Sequence, residues 1–324
     1  MKAFTLTHPA DKRAAVVAGS TPGTKYIAGG TDLLQLAKDD IETPAQLVDL
    51  EPLGMAAIHI RGGNLRLEPL ARMSDVAAHP EVVKGWPVLS QALLASASPQ
   101  IRNMATMGGN LLQRTRCGYF RDTGFACNKR VPGSGCPAIN GENRMHAILG
   151  GSDHCIATNP GDMAVAMMVL GAELELTGHD GMRTVPIGDF HKLPGDTPNV
   201  ETVLQPGEMI TAIDIPASAA AKRSHYLKVR DRASFEFALV SAAVALELDG
   251  GTVRSVRVAA GGVGTKPWRL PEVEDALTGK QADAASLKAA ADQAGAGANP
   301  AHMNAFKLVL LRRTVLRALQ TVSA

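Results

Sequence analysis

The four cysteines of this chain, Cys117, Cys127, Cys136 and Cys155, all fall within residues 114–158. Crowding every thiol into one stretch implies that something local holds them, and three chemistries do so: two disulfides, one zinc ion or an iron–sulfur cluster. Disulfides suit small secreted domains that cannot bury enough core. This chain has 324 residues, and its start lacks the basic segment and apolar core of a secretory signal. Structural zinc sites favour ligand pairs separated by about two to four residues, whereas the gaps here are nine, eight and eighteen. A 4Fe–4S cluster takes four thiolates and does not require a tight pair. Its net negative charge would be offset by Arg114, Arg116, Arg121, Lys129 and Arg130 in the same stretch. Spacing ranks the cluster above zinc and zinc above disulfides, and leaves all three open. His146 and His154 lie close to the cysteines and read as surface residues or neighbours of the ligands, not as ligands.

Two glycine-bearing turns offer a second kind of chemistry. Residues 26–28 read as a buried strand, Gly29 and Gly30 permit positive φ and close backbone approach, Thr31 reads as an N-cap, and residues 32–38 continue as a helix. Free amides at such a helix start can hold an anion; the bland alternative is a tight turn with no ligand. A second pair, Gly108-Gly109, sits in a polar setting within residues 98–112. Two such loops in one domain suit a ligand with an extended phosphate region. Neither G-x-G-x-x-G nor G-x-x-x-x-G-K-[ST] is present; Gly264-Thr265-Lys266 has the wrong order and runs into Pro267. H-E-x-x-H is also absent, and no Ser–His–Asp arrangement is suggested, so no residue is required as a general acid or base.

The elements that must position these groups alternate between strands and helices. Strands are expected at residues 2–6, 46–50, 172–177, 209–215 and 226–229, with a hairpin around Gly62-Gly63-Asn64 and another around Asp249-Gly250-Gly251. Helices are expected at 12–19, 74–79, 87–95, 163–170, 271–278, 284–294 and 303–321, with Asp162 as an N-cap. In the last helix Phe306, Val309, Leu310 and Leu316 read as the stripe that packs on the core, between Arg312, Arg313 and Arg317. A small-residue linker at 217–221 divides two unequal domains, and the fold class is α+β. The hydrophobic fraction is 45% and the charged fraction 20%, ordinary for a globular protein. A net charge of +2 and 4% aromatics argue against a nucleic-acid surface, and no apolar run is long enough for a membrane span.

At these residues a family resemblance emerges. Tyr26-Ile27-Ala28-Gly29-Gly30-Thr31-Asp32-Leu33-Leu34 resembles the first FAD-pyrophosphate loop of the flavin subunit in molybdenum hydroxylases, the relatives of xanthine dehydrogenase and carbon monoxide dehydrogenase. Ile101-Arg102-Asn103 through Gly108-Gly109-Asn110-Leu111 is similar to their second flavin loop, and so are Pro206-Gly207-Glu208, Lys228 and the last hairpin to their counterparts. The resemblance spans nearly the whole chain. It implies a FAD-binding domain of the vanillyl-alcohol-oxidase/p-cresol-methylhydroxylase type over residues 1–218, with α+β subdomains 1–56 and 57–218. A C-terminal domain of the carbon monoxide dehydrogenase flavoprotein type would follow over 222–324. The cysteine stretch is then an insert, shared with a subset of the family that binds a 4Fe–4S cluster there. Thr115-Arg116-Cys117 through Cys136 resembles the bacterial periplasmic aldehyde oxidoreductases most closely, with 4-hydroxybenzoyl-CoA reductase as a second such branch.

The resemblance also implies roles. Amides from Ala28 to Asp32 and the Thr31 hydroxyl would hold the FAD pyrophosphate, with Tyr26, Ile27 and Leu33 framing that loop. Thr106, Gly109 and Asn110 would complete the phosphate and ribityl contacts. Asp162 would accept from a ribose hydroxyl, Ile210 would pack on the isoalloxazine, and Lys228 would lie near its pyrimidine edge. Cys117, Cys127, Cys136 and Cys155 would ligate the cluster. Ser96 stands where xanthine dehydrogenase has a stacking aromatic. The chain would then pass electrons from the 2Fe–2S clusters of a small subunit, in a heterotrimer whose large subunit carries molybdenum and oxidises an aldehyde. Rival readings are a flavin subunit of the thioester reductase type, a stand-alone flavin oxidase, and a non-redox, zinc-stabilised nucleotide-binding scaffold. The chain is expected to fold in the cytoplasm, and it would reach the periplasm only alongside a signal-bearing partner.

Overall fold

A computed structural model describes residues 1–324. The chain opens with β1 (Thr5–Thr7), α1 (Lys12–Gly19), β2 (Thr24–Ile27), α2 (Leu33–Lys38) and β3 (Gln46–Asp49). The three strands form a parallel sheet in the order β1-β3-β2. Parallel neighbours need crossovers, which the two helices supply. The first strand lies three residues later than the expected 2–6, because ladder partners begin only at Thr5, opposite Gln46.

A five-stranded sheet follows, in the order β4-β5-β8-β6-β7 and antiparallel throughout. Its hairpin, β4 (Ile58–Arg61) and β5 (Asn64–Leu67), turns at Gly62 and Gly63, both at positive φ. Short helices come next: α3 (Met73–Ala78), α4 (Pro80–Gly85), α5 (Pro87–Ala95), α6 (Pro99–Arg102) and α7 (Met107–Leu111). Within the cysteine stretch the only α-helix is α8 (Gly118–Arg121). Then come α9 (Asp162–Leu170), β6 (Glu173–Gly178), β7 (Gly181–Pro186), α10 (Ile187–Phe190) and β8 (Met209–Ile215). Strand β7 escapes sequence reading because it is an exposed edge strand, with only Val185 buried, so it shows no apolar alternation.

The last region contains α11 (Ala219–Lys222), β9 (Ser224–Val229), β10 (Val240–Asp249), β11 (Thr252–Gly261) and β12 (Trp268–Arg269), then α12 (Pro271–Leu277), α13 (Ala284–Ala291) and α14 (Phe306–Ser323). Its sheet runs β12-β11-β10-β9. Strand β10 is apolar on both faces because both are covered. Ala243 and Ala245 belong to the core built around α9, while Ala242, Val244 and Leu246 belong to the core under α14. Period two thus sends alternate residues into different cores. Small residues let the sheet lie close to α9: a Cβ on Gly261 would stand 2.8 Å from Val165 Cγ2.

Two expectations need correction here. The core face of α14 is Leu311, Val315, Ala318, Leu319 and Val322, together with Lys307 and Thr314. Phe306 and Val309 are exposed, and Leu310 and Leu316 only border the core. A lysine four residues before Leu311 belongs to that face. Asp162 is also no N-cap: Gly161 occupies that position, and Asp162 is the first helical residue, with its side chain turned into the protein. No helix is long and apolar enough to cross a membrane.

Candidate functional site

A cleft of about 1160 Å³ runs between the first glycine loop, segments within 96–116 and 191–210, and the loop at 232–237. Tyr26, Ile27, Ala28, Gly29, Gly30, Thr31, Asp32 and Leu33 line it from one side. Thr106, Gly109, Asn110, Asp162 and Ile210 line it from the other. Two turns more than seventy residues apart thus line one cleft. Their glycines serve distinct ends. A Cβ on Gly29 would fall 1.9 Å from Met104 O, so this glycine lets the two loops touch. Gly30 adopts φ +66°, a conformation that disfavours side chains. Helix α2 begins at Leu33, one residue after the expected start, and its N-cap is Asp32 with no side-chain capping bond. Thr106 caps α7 by accepting from Gly109 N at 3.2 Å, which leaves its hydroxyl hydrogen free to donate. Asn110 Nδ2 reaches Met73 Sδ, while Asn110 Oδ1 is buried with no partner. A buried carbonyl oxygen in that state fits a donor supplied by a ligand.

Tyr26 fixes one end of the cleft. Its hydroxyl lies 2.7 Å from Gly207 O and 3.1 Å from Ala15 O, and burial raises its pKa to about 12. Gly207, at φ +78°, brings the Pro206-Gly207-Glu208 turn against Ser20.

Also lining the cleft, Asp162 sits 6% exposed at the start of α9. Oδ1 accepts from Tyr226 Oη at 2.5 Å, and Oδ2 accepts from Lys228 Nζ at 2.8 Å and lies 2.9 Å from Ser96 Oγ. Lys228, 3% exposed at its side chain, also donates to Ala95 O and does not line the cleft. Ser96 is therefore part of the carboxylate's support.

Asp32, in the cleft wall, gives its carboxylate to the cysteine insert. Its oxygens accept from Arg114 N at 2.8 Å, from Arg121 Nη2 at 2.8 Å and from Arg116 Nη1. Burial opposes its charge, but Arg116 and Arg121 prevail and hold its carboxyl below the usual range. The first glycine loop is thereby tied to the segment that leads into Cys117. Close by, Arg114 pairs with Glu42 and Glu201, and Lys129 pairs with Glu201 at 2.8 Å.

The four cysteines are free thiols that surround one small gap, together with Phe120, Lys129 and Ala138. Backbone amides approach three sulfurs: those of Phe120 and Tyr119 at Cys117, of Ala138, Ile156 and Ile139 at Cys136, and of Ala157 at Cys155. Burial nevertheless pushes the Cys117 thiol up to about 12 and raises Cys136 and Cys155. No three His, Cys, Asp or Glu side chains converge on a point fit for a single metal ion.

Side chains from outside and inside the insert shape this pocket, and sequence reasoning missed most of them. Asn128 donates to His154 O at 3.0 Å and accepts from Gly135 N at 2.7 Å, which joins the segments bearing Cys127, Cys136 and Cys155. Lys307 of α14, 0% exposed, donates to Met145 O, His146 O and Gly262 O at 2.7–3.0 Å. Burial, with Arg144 nearby, lowers its pKa to about 7. Asn304 reaches Asn143 O and His146 O, both at 3.2 Å. His146, read as a surface or neighbouring residue, is buried, with Nε2 3.1 Å from Cys117 Sγ; His154 is half-exposed beside Asp196. The one available signal was a lysine on the apolar face of α14.

The fold and the cleft together define a class, the flavoproteins of molybdenum hydroxylases. Residues 2–218 match the FAD binding domain in molybdopterin dehydrogenase, and residues 225–322 match the CO dehydrogenase flavoprotein C-terminal domain. The chain belongs to the family of FAD-binding subunits of these oxidoreductases. It is 49% identical over 329 residues to the aldehyde oxidoreductase FAD-binding subunit PaoB of Escherichia coli (strain K12), covering 100% of this chain and 99% of that protein. It is 28% identical to the carbon monoxide dehydrogenase medium chain of Afipia carboxidovorans, over 90% of this chain and 88% of that one. Among solved structures, quinoline 2-oxidoreductase from Pseudomonas putida 86 superposes with a TM-score of 0.77 at 25% identity, covering 100% of this chain and 98% of that chain. Reconstituted CO dehydrogenase from Oligotropha carboxidovorans has the same fold, with a TM-score of 0.78 at 24% identity, covering 99% of this chain and 98% of that chain.

Proposed function

We propose that this chain is the electron-transfer subunit of a molybdenum-containing aldehyde oxidoreductase, holding FAD in the glycine-lined cleft and a 4Fe–4S cluster on the four cysteines. It would work beside a large molybdenum subunit and a small 2Fe–2S subunit, and would hand electrons to an external acceptor. The observation that carries the reading is the adjacency of the two sites. Asp32 belongs to the first glycine loop and clamps, through Arg114, Arg116 and Arg121, the segment that bears Cys117. The aldehyde rests on the relative of 49% identity.

When bound, the flavin would supply two-electron chemistry divisible into single electrons, and the cluster single-electron chemistry. The chain's own residues would hold and tune them. Amides of residues 28–32 and the Thr31 hydroxyl would meet the pyrophosphate. Thr106 would donate its free hydroxyl hydrogen, and Asn110 Oδ1 would accept from a ribityl hydroxyl. A carboxylate has about four lone-pair sites, so Asp162, with three donors around it, retains capacity for a ribose hydroxyl. Ile210 would pack on the isoalloxazine. Lys228 would act on it only through Asp162.

The thiol set suits a cluster better than zinc. Structural zinc sites favour ligand pairs separated by about two to four residues, and the gaps of nine, eight and eighteen residues here include no such pair. A cubane spreads its thiolates over four irons, and amides near three of the sulfurs suit thiolates.

The test is an ultraviolet–visible spectrum of anaerobically purified protein, with flavin and iron counted on one sample. Flavin bands over a broad iron–sulfur absorbance, at about four irons per flavin, are expected. Flavin without iron would remove the cluster. Colourless protein that stays so after FAD addition and reconstitution would overturn the whole reading.

A further inference from the structure

We propose that His146 is a positioning residue for Cys117: its Nε2–H donates to the Cys117 sulfur and raises the reduction potential of the cluster held there. The inference deepens the function proposed above and rests on a 4Fe–4S cluster occupying the cysteines.

The geometry begins with the contact itself. His146 Nε2 lies 3.1 Å from Cys117 Sγ, and the residue is buried. A sulfur bonded to iron carries no proton, so the only hydrogen available to this pair is the imidazole's. It must sit on Nε2, where it has an acceptor. Nδ1, buried with no partner, is then a bare lone pair. The opposite tautomer would bury an unpaired N–H and set two lone pairs against each other, which is the costlier arrangement.

The backbone of His146, from which the ring projects, is held by three hydrogen bonds. His146 N donates to Asn143 O at 2.9 Å. His146 O accepts from Lys307 Nζ at 3.0 Å and from Asn304 Nδ2 at 3.2 Å. Asn143 is fixed in turn, donating from Nδ2 to Ala138 O at 3.1 Å and accepting from Met303 N at 3.1 Å. Lys307, Asn304 and Asn143 are all fully buried. The C-terminal domain thus aims an imidazole at a ligand that lies in the insert of the other domain.

Hydrogen bonds to the ligand sulfurs are one of the levers on cluster potential. Adding an electron makes the thiolate richer in charge, and a donor stabilises that state more than the oxidised one. Two backbone amides already face Cys117, and they stay in place whatever occupies position 146. The histidine contributes the part of the tuning that a side-chain substitution can remove.

The experiment is a redox titration of the anaerobically purified, assembled complex, read by the EPR signal of the reduced cluster, with iron counted on the same samples. His146→Phe is expected to titrate at a lower potential than the unsubstituted protein. His146→Gln, whose amide can place a donor near the Nε2 position, is expected to recover most of the shift, and the flavin potential should not move. Equal potentials for His146→Phe and the unsubstituted protein, at equal iron, would overturn the proposal. If His146→Phe loses its iron, pulsed EPR decides on unsubstituted protein labelled with nitrogen-15 histidine. A single histidine nitrogen coupled to the reduced cluster is expected, and no coupling overturns the assignment. An unsubstituted complex whose iron and EPR signals are accounted for by the partner's 2Fe–2S clusters alone withdraws the proposal together with the cluster reading, a result distinct from a 4Fe–4S cluster present and His146 silent.

Discussion

The cleft and the cysteine insert touch through Asp32, yet they are built from different materials. The glycine loops of the cleft are built from backbone and small residues: Gly29 exists for loop contact, Gly30 for its φ of +66°, and Thr106 for a cap three residues long. The insert has one four-residue α-helix, and otherwise takes its shape from side chains that reach carbonyls far away in the chain. Lys307 bonds Met145 O across 162 positions and Asn304 bonds Asn143 O across 161. Local turn chemistry specifies the first region, and distant partners specify the second. Damage should therefore spread differently from each.

The sharpest break in this comparison is the one corner of the cleft that is built like the insert. Asp162 and Lys228 form a buried ion pair, and removing one partner of such a pair costs about 3–5 kcal/mol by stranding the other. Lys228→Met is expected to lose that much in urea unfolding, while Lys228→Met/Asp162→Leu recovers most of it. Equal loss in the double variant would mean that packing, and not the stranded carboxylate, sets the cost.

Asp32→Ala comes next and separates the two regions. It keeps the amides that face the cleft but strips Arg116 and Arg121 of their shared acceptor. Hydrogen bonds to charged groups contribute about 1.5–3 kcal/mol each, so the segment before Cys117 should loosen. Iron content should fall several-fold and proteolysis within residues 114–158 should quicken, while flavin content changes little. Flavin lost in step with iron would show that the two regions form one cooperative unit.

Gly30→Ala tests the opposite direction. A side chain in the left-handed region costs about 1–2 kcal/mol, or roughly tenfold in flavin affinity, measured by titrating FAD into stripped protein. Iron content should be unchanged, because no bond of the cysteine insert depends on Gly30.

The same contrast governs what the sequence revealed. The hairpins, α1, α5, β8 and both glycine loops announce themselves by residues within a few positions of one another. The crowding of Cys117, Cys127, Cys136 and Cys155 marked the insert, but not Asn128, Asn143 or Asn304 as its supports. Asparagine is an ordinary loop residue, and only the folded chain shows which carbonyls it meets. Residue type points to the wrong face of α14, since Phe306 and Val309 are apolar but exposed, while Lys307 is buried in spite of its charge. In the sequence Asp162 reads as a cap because its position beside Gly161 suits one; Tyr226 and Lys228, more than sixty residues away, claim its oxygens instead.

Lys307 gives the most specific effect. Its folded pKa is lowered to about 7 by burial and by Arg144, whereas an unfolded lysine titrates near 10.4. Below pH 7 both states are protonated, and the fold bears the cost of a buried ammonium. Between about 7 and 10 the unfolded chain binds more protons than the native one, so stability rises with pH across that window. Other groups titrate in the same range, so the quantity to measure is the difference between the unsubstituted protein and Lys307→Met, followed from pH 6.5 to 8.5 by urea unfolding. The unsubstituted protein is expected to gain stability relative to the variant as pH rises. A difference that does not change with pH would mean that Met145 O, His146 O and Gly262 O keep the ammonium charged. Lys307 would then hold the insert as a cation at every pH the protein meets, which would make the contrast with the backbone-built cleft sharper still.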